Sequence, residues 1–329
     1  MRKFSFITFT DVHISATNPR SRQGDYKQDI IDKLDQIKAV GEKLKVAFFV
    51  FAGDLFNLKA PMRNPHSLNS TLIDLFKSFP APVYATEGNH DLRYDSYETF
   101  EEQPLKVIYS SGALRQTRDI RIEPDGIDVH LRGFPFEENP NFKKMPKADK
   151  HNCDISICLL HLYTSPSGGS LPKQKIYGYH EISELGDDIY VMGHYHIDHG
   201  IIQVDGKTYV NVGAISRGSI SEEDINRQPK IGWVTVTKDD NGIQVEGKAI
   251  KLKVRPVDEV FDLEQHEEDK KSSKEAEEFV SKLKTDMSDE ISGEDRVGEE
   301  INRLDLEKDV LERLEGFLED ADIELKERV

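Results

Sequence analysis

The sequence predicts an α/β protein in which two sheets pack together under a cover of helices, with an acidic helical extension at the end. Three observations predict it. Short apolar runs alternate with amphipathic stretches through the first hundred residues, the pattern of β-loop-α units on a parallel-to-mixed sheet. Further on, apolar runs flank Asp205-Gly206 and Asp239-Asp240-Asn241-Gly242, which reads as hairpins in a more antiparallel second sheet. Acidity, finally, is confined to one end. Residues 258–329 carry 27 acidic and 11 basic side chains, and so hold 16 of the 17 net negative charges. Residues 1–257 are close to neutral and form the expected main domain, with 258–329 as the extension.

Residues 4–9 are aromatic and β-branched, a buried first strand that runs into Thr10-Asp11-Val12-His13. Over 26–45, Ile30, Ile31, Leu34, Ile37, Val40 and Leu44 recur at helical spacing. The continuous apolar run 46–51 predicts a strand buried on both faces, ending in Ala52-Gly53-Asp54-Leu55-Phe56. A second helix over 66–79 carries Leu68, Leu72, Leu75, Phe76 and Phe79. That stripe suits either burial on the chain's own sheet or pairing with a second copy, together with residues 94–103. Residues 82–85 form a third strand that delivers Thr86-Glu87-Gly88-Asn89-His90-Asp91 onto a loop. Later strands are expected at 127–134, at 155–160 before His161, and at 189–192 before Gly193-His194-Tyr195-His196, followed by the two hairpins.

Beyond Asp258 the composition changes. Residues 265–274 are polar, 275–284 and 299–327 read as helices, and 286–298 as a loop. Leu304, Leu311, Leu318 and Leu325 stand seven apart. Two readings of that stripe stand: an exposed helix folded back on the core, or a docking helix for a partner. Cys153 and Cys158 show no disulfide spacing and fit a reducing, cytoplasmic setting. No run of eighteen apolar residues occurs, so no membrane span is expected. The run at 4–9 is broken by Ser5 and Thr8 and closed by Asp11, which suits a strand rather than a signal segment.

The residues with chemistry cluster at strand ends: Asp11, His13, Asp54, Asn89, His161, His194 and His196. Asp-x-His and His-x-His place two side chains on one face of an extended segment. Seven groups suffice for two divalent ions if Asp54 bridges. Oxygen and imidazole donors without a thiolate favour manganese, iron or zinc. Two ions close together suit displacement at phosphorus. Singly, each residue has a plainer reading: Asp11 or His13 as a turn or cap residue, His161 as a core histidine, His196 as a surface one. Those readings do not explain why five of eleven histidines fall in strand-end loops.

Asp11-x-His13, Gly53-Asp54, Gly88-Asn89-His90-Asp91, His161 and Gly193-His194-x-His196 together resemble the five-block signature of calcineurin-like metallophosphoesterases, in the family's order. The resemblance implies a two-sheet α/β/β/α sandwich with a dinuclear site. By it, Asp11, His13, Asp54 and His196 hold one ion, and Asp54, Asn89, His161 and His194 the other. The metals it implies are two divalent ions, manganese first, with iron, magnesium and zinc as alternatives. His90 is then the catalytic residue that protonates the leaving oxygen, with Asp91 beside it. Within the superfamily, the stretches around Asp54 and Asn89 and the segment Asn211-Val212-Gly213-Ala214-Ile215-Ser216-Arg217 are similar to the nuclease subunit of SbcCD-type (Mre/Rad-type) double-strand-break repair complexes. That implies a DNA exonuclease and endonuclease, a homodimer, and a coiled-coil ATPase partner for the docking helix. Phosphatases of the superfamily carry Asp-Arg-Gly after the bridging Asp, whereas this chain has Asn57-Leu58-Lys59, which favours a diester. Some members have a second catalytic histidine where Asn57 stands. Asn57 and Arg217 are the expected substrate contacts. The usual mixed α/β cap is reduced here to residues 258–329. The alternatives are a small-molecule or cyclic-nucleotide phosphodiesterase on the same fold, and a silent scaffold subunit that binds DNA ends.

Overall fold

The chain begins in a strand that becomes the middle of a sheet. In the computed structural model, which describes residues 1–19, 22–171 and 174–263, β1 (Arg2–Phe9), β2 (Phe48–Phe51), β3 (Val83–Ala85) and β4 (Arg115–Gln116) run parallel and side by side. The connections carry α1 (Tyr26–Leu44), α2 (His66–Lys77) and α3 (Pro104–Ser110). Asp25 caps α1 by accepting from the Gln28 N–H at 3.0 Å, and Lys45 closes it in the left-handed region at φ 52°. Ile30, Leu34 and Ile37 fall on one face of that helix and are fully buried. Each such side chain contributes about 1.5–3 kcal/mol of burial.

The second sheet is built from β5 (Asp119–Ile122), β6 (Val129–Gly133) and β7 (Ile155–Leu162). A small three-stranded sheet follows: β8 (Thr164–Ser165), β9 (Gly169–Leu171) and β10 (Gln174–Gly178), and then α4 (Tyr179–Ile182). The large sheet resumes with β11 (Ile189–His194), β12 (Gly200–Val204) and β13 (Lys207–Asn211). Its order is β12-β13-β11-β7-β6-β5.

Period-two alternation sorts each strand between layers. Phe4, Phe6, Phe48 and Val50 face Val129, Leu131, Ile155, Ile157, Leu159 and Val191 in a core between the sheets. The alternate residues Ile7, Phe9, Phe49 and Phe51 pack under α1, α2 and α3. On the second sheet Cys158, Leu160, Tyr190 and Tyr209 pack outward against Tyr179, Ile182 and Leu185. The layers are therefore α/β/β/α, as expected.

Two expectations differ from the structure. The final hairpin, β14 (Lys230–Asp239) and β15 (Gly242–Lys251), joins the first sheet, with β14 antiparallel to β1 from Arg2↔Lys238 to Thr8↔Gly232. The second sheet is not mainly antiparallel: β13, β11, β7 and β6 are parallel, and only β12 and β5 at its edges run the other way. A turn signal announces local pairing, but Val234 and Val236, packed between the sheets, decide which edge the hairpin joins. The stripe Leu68, Leu72, Leu75, Phe76 and Phe79 is buried in the chain's own core, where Phe79 meets Phe49 at 5.0 Å between ring centres. It is not an exposed pairing face.

Met1–Phe261 forms one compact unit, separate from the residues that follow. It closes with α5 (Glu222–Asn226) and α6 (Val257–Val260), and Phe261 bridges back to Arg22. The polar stretch 265–274, the expected helices at 275–284 and 299–327, and the leucine stripe lie outside the described residues. No helix among the described residues is long and apolar enough to cross a membrane.

Candidate metal centre

Because β1, β2 and β3 are parallel, their C-terminal ends open onto one edge, and the loops that follow stay joined. Asp11 N–H donates to Gly53 O at 3.1 Å, Val12 and His13 to Asp54 O at 2.9 and 3.0 Å, and Ile14 to Leu55 O at 2.9 Å. In the same order the Asn57 N–H donates to Ile14 O at 2.9 Å. Asp11, His13, Asp54 and His194 all lie in the left-handed region, at φ 53°, 46°, 62° and 81°. Such backbone costs on the order of 1–3 kcal/mol per residue and persists where the surroundings enforce it. Glycine makes the approach possible: a Cβ on Gly88 would stand 2.1 Å from Asp54 Oδ1. From the second sheet, β7 brings His161 and β11 brings His194, whose N–H donates to Asp11 Oδ1 at 3.1 Å.

These side chains converge into three overlapping groups: Asp11, His13 and His196; Asp54, His161 and His194; and His13, Asp54 and His90. Asp54 joins them, with Oδ2 lying 3.4 Å from His13 Nε2 and 3.2 Å from His161 Nε2. His13 and His196 approach at 3.1 Å between Nε2 atoms, and each lies near Asp11 Oδ1, at 3.8 and 3.6 Å. Asp11, Asp54, His13, His161 and His194 are buried.

The donor atoms fit divalent cations. His194 Nε2 and Asn89 Oδ1 are buried with no hydrogen-bond partner among the described residues, a costly arrangement unless a ligand occupies them. Burial, and then His161, lowers the His194 pKa to about 2, and burial holds His13 well below the usual range. Both imidazoles are neutral and free to donate a lone pair. His161 behaves differently: burial opposes its charge, but Asp54 outweighs that and lifts its pKa to about 9. Burial likewise opposes the charge on Asp54, yet His161 and then His13 hold it well below the carboxylate range. That imidazolium–carboxylate pair stands where a cation would replace the proton. His161 Nδ1 rests on Ala52 O at 2.6 Å, the outer contact that fixes a metal-binding imidazole. Asp11, His13, Asp54 and His196 would hold one ion, and Asp54, Asn89, His161 and His194 the second.

His90 lies beside His13 and Asp54. Its N–H donates to Asp54 Oδ1 at 2.8 Å, its Nδ1 meets Asn57 O at 2.8 Å, and its ring lies edge-on to His13 with centres 4.7 Å apart. With Nδ1 engaged, Nε2 is the nitrogen left for proton transfer. The other expected contacts fall elsewhere. The Asp91 carboxylate is buried and accepts from the N–H groups of Asp54, Leu55, Phe56 and Gly88 at 2.9, 3.0, 3.2 and 3.1 Å. Burial and the neighbouring Asp54 push its pKa up to about 8, against the pull of those amides. The Asp91 carboxylate thus ties the two loops, with both oxygens bonded to backbone. Asn57 meets His90 through its carbonyl. Arg217 does not reach the cluster: its guanidinium is buried, donating from Nε to Asp224 O at 3.2 Å and from Nη1 to Arg255 O at 3.1 Å.

Three further residues stand at the site. Tyr163 packs its ring 4.0 Å from that of His194, Phe136 lies 5.3 Å from the same ring, and Thr10 Oγ1 donates to Asp11 Oδ2 at 2.8 Å. Of the three, Tyr163 alone has a signal in the sequence, since it stands two residues beyond His161, just past the end of β7.

A model of the calcineurin-like phosphoesterase family matches residues 4–198, a span that holds all seven metal-binding candidates. The chain belongs to that family. This phosphoesterase is also 22% identical, over 204 residues, to the DNA double-strand break repair protein Mre11 of Methanopyrus kandleri. The match takes in 57% of the chain and 43% of the relative, so the chain spans less than half the length of that protein. Among solved structures it is similar to one from Staphylococcus aureus described as a "Putative 5'-Nucleotidase", in complex with alpha-ketoglutarate. The TM-score is 0.54 at 16% identity, over 80% of this chain and 57% of that one. A 5'-nucleotidase precursor from Thermus thermophilus aligns with a TM-score of 0.46 at 13% identity, over 76% and 54% of the two chains. At these identities the structural likeness concerns the fold alone.

Proposed function

We propose that this phosphoesterase is a metal-dependent DNA nuclease that hydrolyses phosphodiester bonds with exonuclease and endonuclease action. The observation that carries the reading is the placement of His90. Its Nδ1 is held by the Asn57 carbonyl, and it lies within reach of His13 and Asp54, so the remaining nitrogen is oriented to protonate a departing oxygen. Two bound cations would supply an activated water and neutralise charge developing on phosphorus. Asp91 and Asn57 keep the loops and His90 in place while this occurs.

A diester is favoured over a monoester by charge. A monoester dianion calls for a further cation beside the ions, yet Lys59, the nearest basic residue in sequence after Asp54, is paired with Asp95. DNA as the substrate is supported by the similarity to the Mre11 protein. Manganese is the working ion proposed on the sequence resemblance, and the carboxylate and amide oxygens of Asp11, Asp54 and Asn89 in the donor set suit it. A coiled-coil ATPase is the proposed partner, on the sequence resemblance and the leucine stripe at 304–325.

The reading is tested by incubating the purified chain, with and without manganese, with labelled single- and double-stranded DNA. A chromogenic diester, a chromogenic monoester and adenosine monophosphate run alongside. Manganese-dependent cutting of DNA and of the diester, with little release of phosphate from the monoesters, is expected. Faster hydrolysis of adenosine monophosphate than of DNA would overturn it.

A further inference from the structure

Between the start of α1 and residues 253–260 lies a cavity of about 400 Å³, within the range that small ligands occupy. Five cations line it: Arg22, Lys33, Arg217, Lys253 and Arg255. Only Asp29 and Asp32 oppose them there, and Asp29 is shared between Arg22 and Arg255.

Three of the cations are buried, with Arg22 8%, Lys33 5% and Arg217 4% exposed. A buried charge is costly unless paired and hydrogen-bonded. Among the described residues neither Lys33 nor Arg217 has an ion pair: Lys33 Nζ donates to Ile215 O at 2.9 Å, and Arg217 to the two backbone oxygens already named. Arg217 Nη2 and Arg22 Nε have no hydrogen-bond partner at all among the described residues. Unmet cationic donors around a cavity are the requirement of an anion with several acceptor oxygens.

We propose that this cavity binds a small phosphorylated anion, with Arg217, Lys33 and Arg22 at its base and Lys253 and Arg255 at its mouth. The recessed position of the base selects a compact anion. A nucleic-acid backbone would meet only Lys253 and Arg255, which are exposed. Burial, together with Arg22 and Arg217, depresses the Lys33 pKa to about 7, so an arriving anion draws a proton onto it. The site adjoins the metal loops. Ile215 N–H donates to Thr10 O at 3.3 Å and Ser216 N–H to Asp11 O at 3.2 Å, while Tyr26, under the Arg22 guanidinium, donates to His13 O at 2.9 Å. Residues that flank the cavity's lining are thus hydrogen-bonded to the backbone of Asp11 and His13.

The test is calorimetric titration of the metal-free chain with pyrophosphate and with inorganic phosphate, so that no cation at the dinuclear centre contributes. Single-site binding of pyrophosphate is expected, with proton uptake at pH 7.5 revealed by the dependence of heat on buffer. Replacing the exposed pair, Lys253→Gln with Arg255→Gln, should leave folding intact and weaken binding at least about ten-fold. Arg217→Gln should abolish it, with circular dichroism to check the fold. Affinity unchanged in the exposed double variant, or no saturable binding, overturns the proposal. Displacement of pyrophosphate by a short DNA duplex of higher affinity would overturn the assignment to a small ligand.

Discussion

The imidazole of His90 is fixed by the backbone carbonyl of Asn57, with Nδ1 2.8 Å from that oxygen. A position expected to meet the substrate by its side chain also holds His90 by its main chain. Asn57→Ala, which leaves the carbonyl in place, should keep metal-dependent hydrolysis close to wild type. His90→Ala should keep its ions but lose about 100- to 10,000-fold in rate. Elemental analysis beside the rate measurement checks both. Loss of an ion in His90→Ala would make His90 a ligand, as its place near His13 and Asp54 allows.

Asp91 makes the comparison sharper, since its carboxylate holds four backbone N–H groups from the two loops. A hydrogen bond contributes about 0.5–1.5 kcal/mol, and each buried donor left unmet costs about 1–3 kcal/mol. Asp91→Ala should lower unfolding free energy by at least about 3 kcal/mol and weaken metal binding, both read by denaturant melts and metal titration. Asp91→Asn, which keeps one acceptor oxygen, should fall between. Wild-type stability with lost turnover would return Asp91 to a direct part in the chemistry.

Much of this architecture was legible in the chain because it rests on local pattern. The runs ending at Asp11, Asp54 and Asn89 are strands β1 to β3 or their loops, and the alternation within 155–162 separates inner from outer core. What was not legible depends on long-range choice. Nothing in the hairpin around Gly242 says that β14 will pair with β1, at the opposite end of the compact unit, in the register Arg2↔Lys238 to Thr8↔Gly232. A carbonyl that holds a histidine leaves no trace in residue identity, so the contact of Asn57 with His90 could not be read from the sequence. Arg217 follows a segment that does touch the site, since Ser216 N–H donates to Asp11 O. Its side chain nevertheless turns to the other face of that backbone, where Arg255 and Asp224 receive it.

Gly88 sits where the two loops come closest. Its backbone is at an ordinary φ of −92°, so any cost of a side chain arises from contact alone. A Cβ would meet Asp54 Oδ1 at 2.1 Å and Asp54 N at 2.5 Å, atoms that belong to the proposed bridging ligand and its main chain. Gly112 offers the control: it is at φ +74° with nothing within 4 Å of a Cβ, so Gly112→Ala costs only the conformational penalty of about 1–2 kcal/mol. Gly88→Ala should lose metal affinity and melt well below Gly112→Ala. Equal melting and equal metal content in the two variants would show that the loops can part without harm.

Lys33 gives a stability signature with a definite sign. Burial, then Arg22 and Arg217, takes its pKa from the ordinary 10.5 to about 7. Between those values the unfolded chain keeps the proton and the folded chain gives it up, so the unfolded state binds more protons and wild-type stability rises with pH. The slope from this one group is at most about 1.4 kcal/mol per pH unit, and it vanishes below pH 7, where both states are protonated. In Lys33→Met the group is gone, along with its hydrogen bond to Ile215 O, a loss that does not change with pH. The variant's stability relative to wild type should therefore be highest near pH 6.5 and fall steadily toward pH 10. Urea unfolding of both chains in phosphate-free buffer across that window measures the difference, in which the other lysines cancel. A difference that stays flat from pH 7 to pH 10 would mean that Lys33 keeps its charge in the fold, and that a neighbouring anion already compensates it.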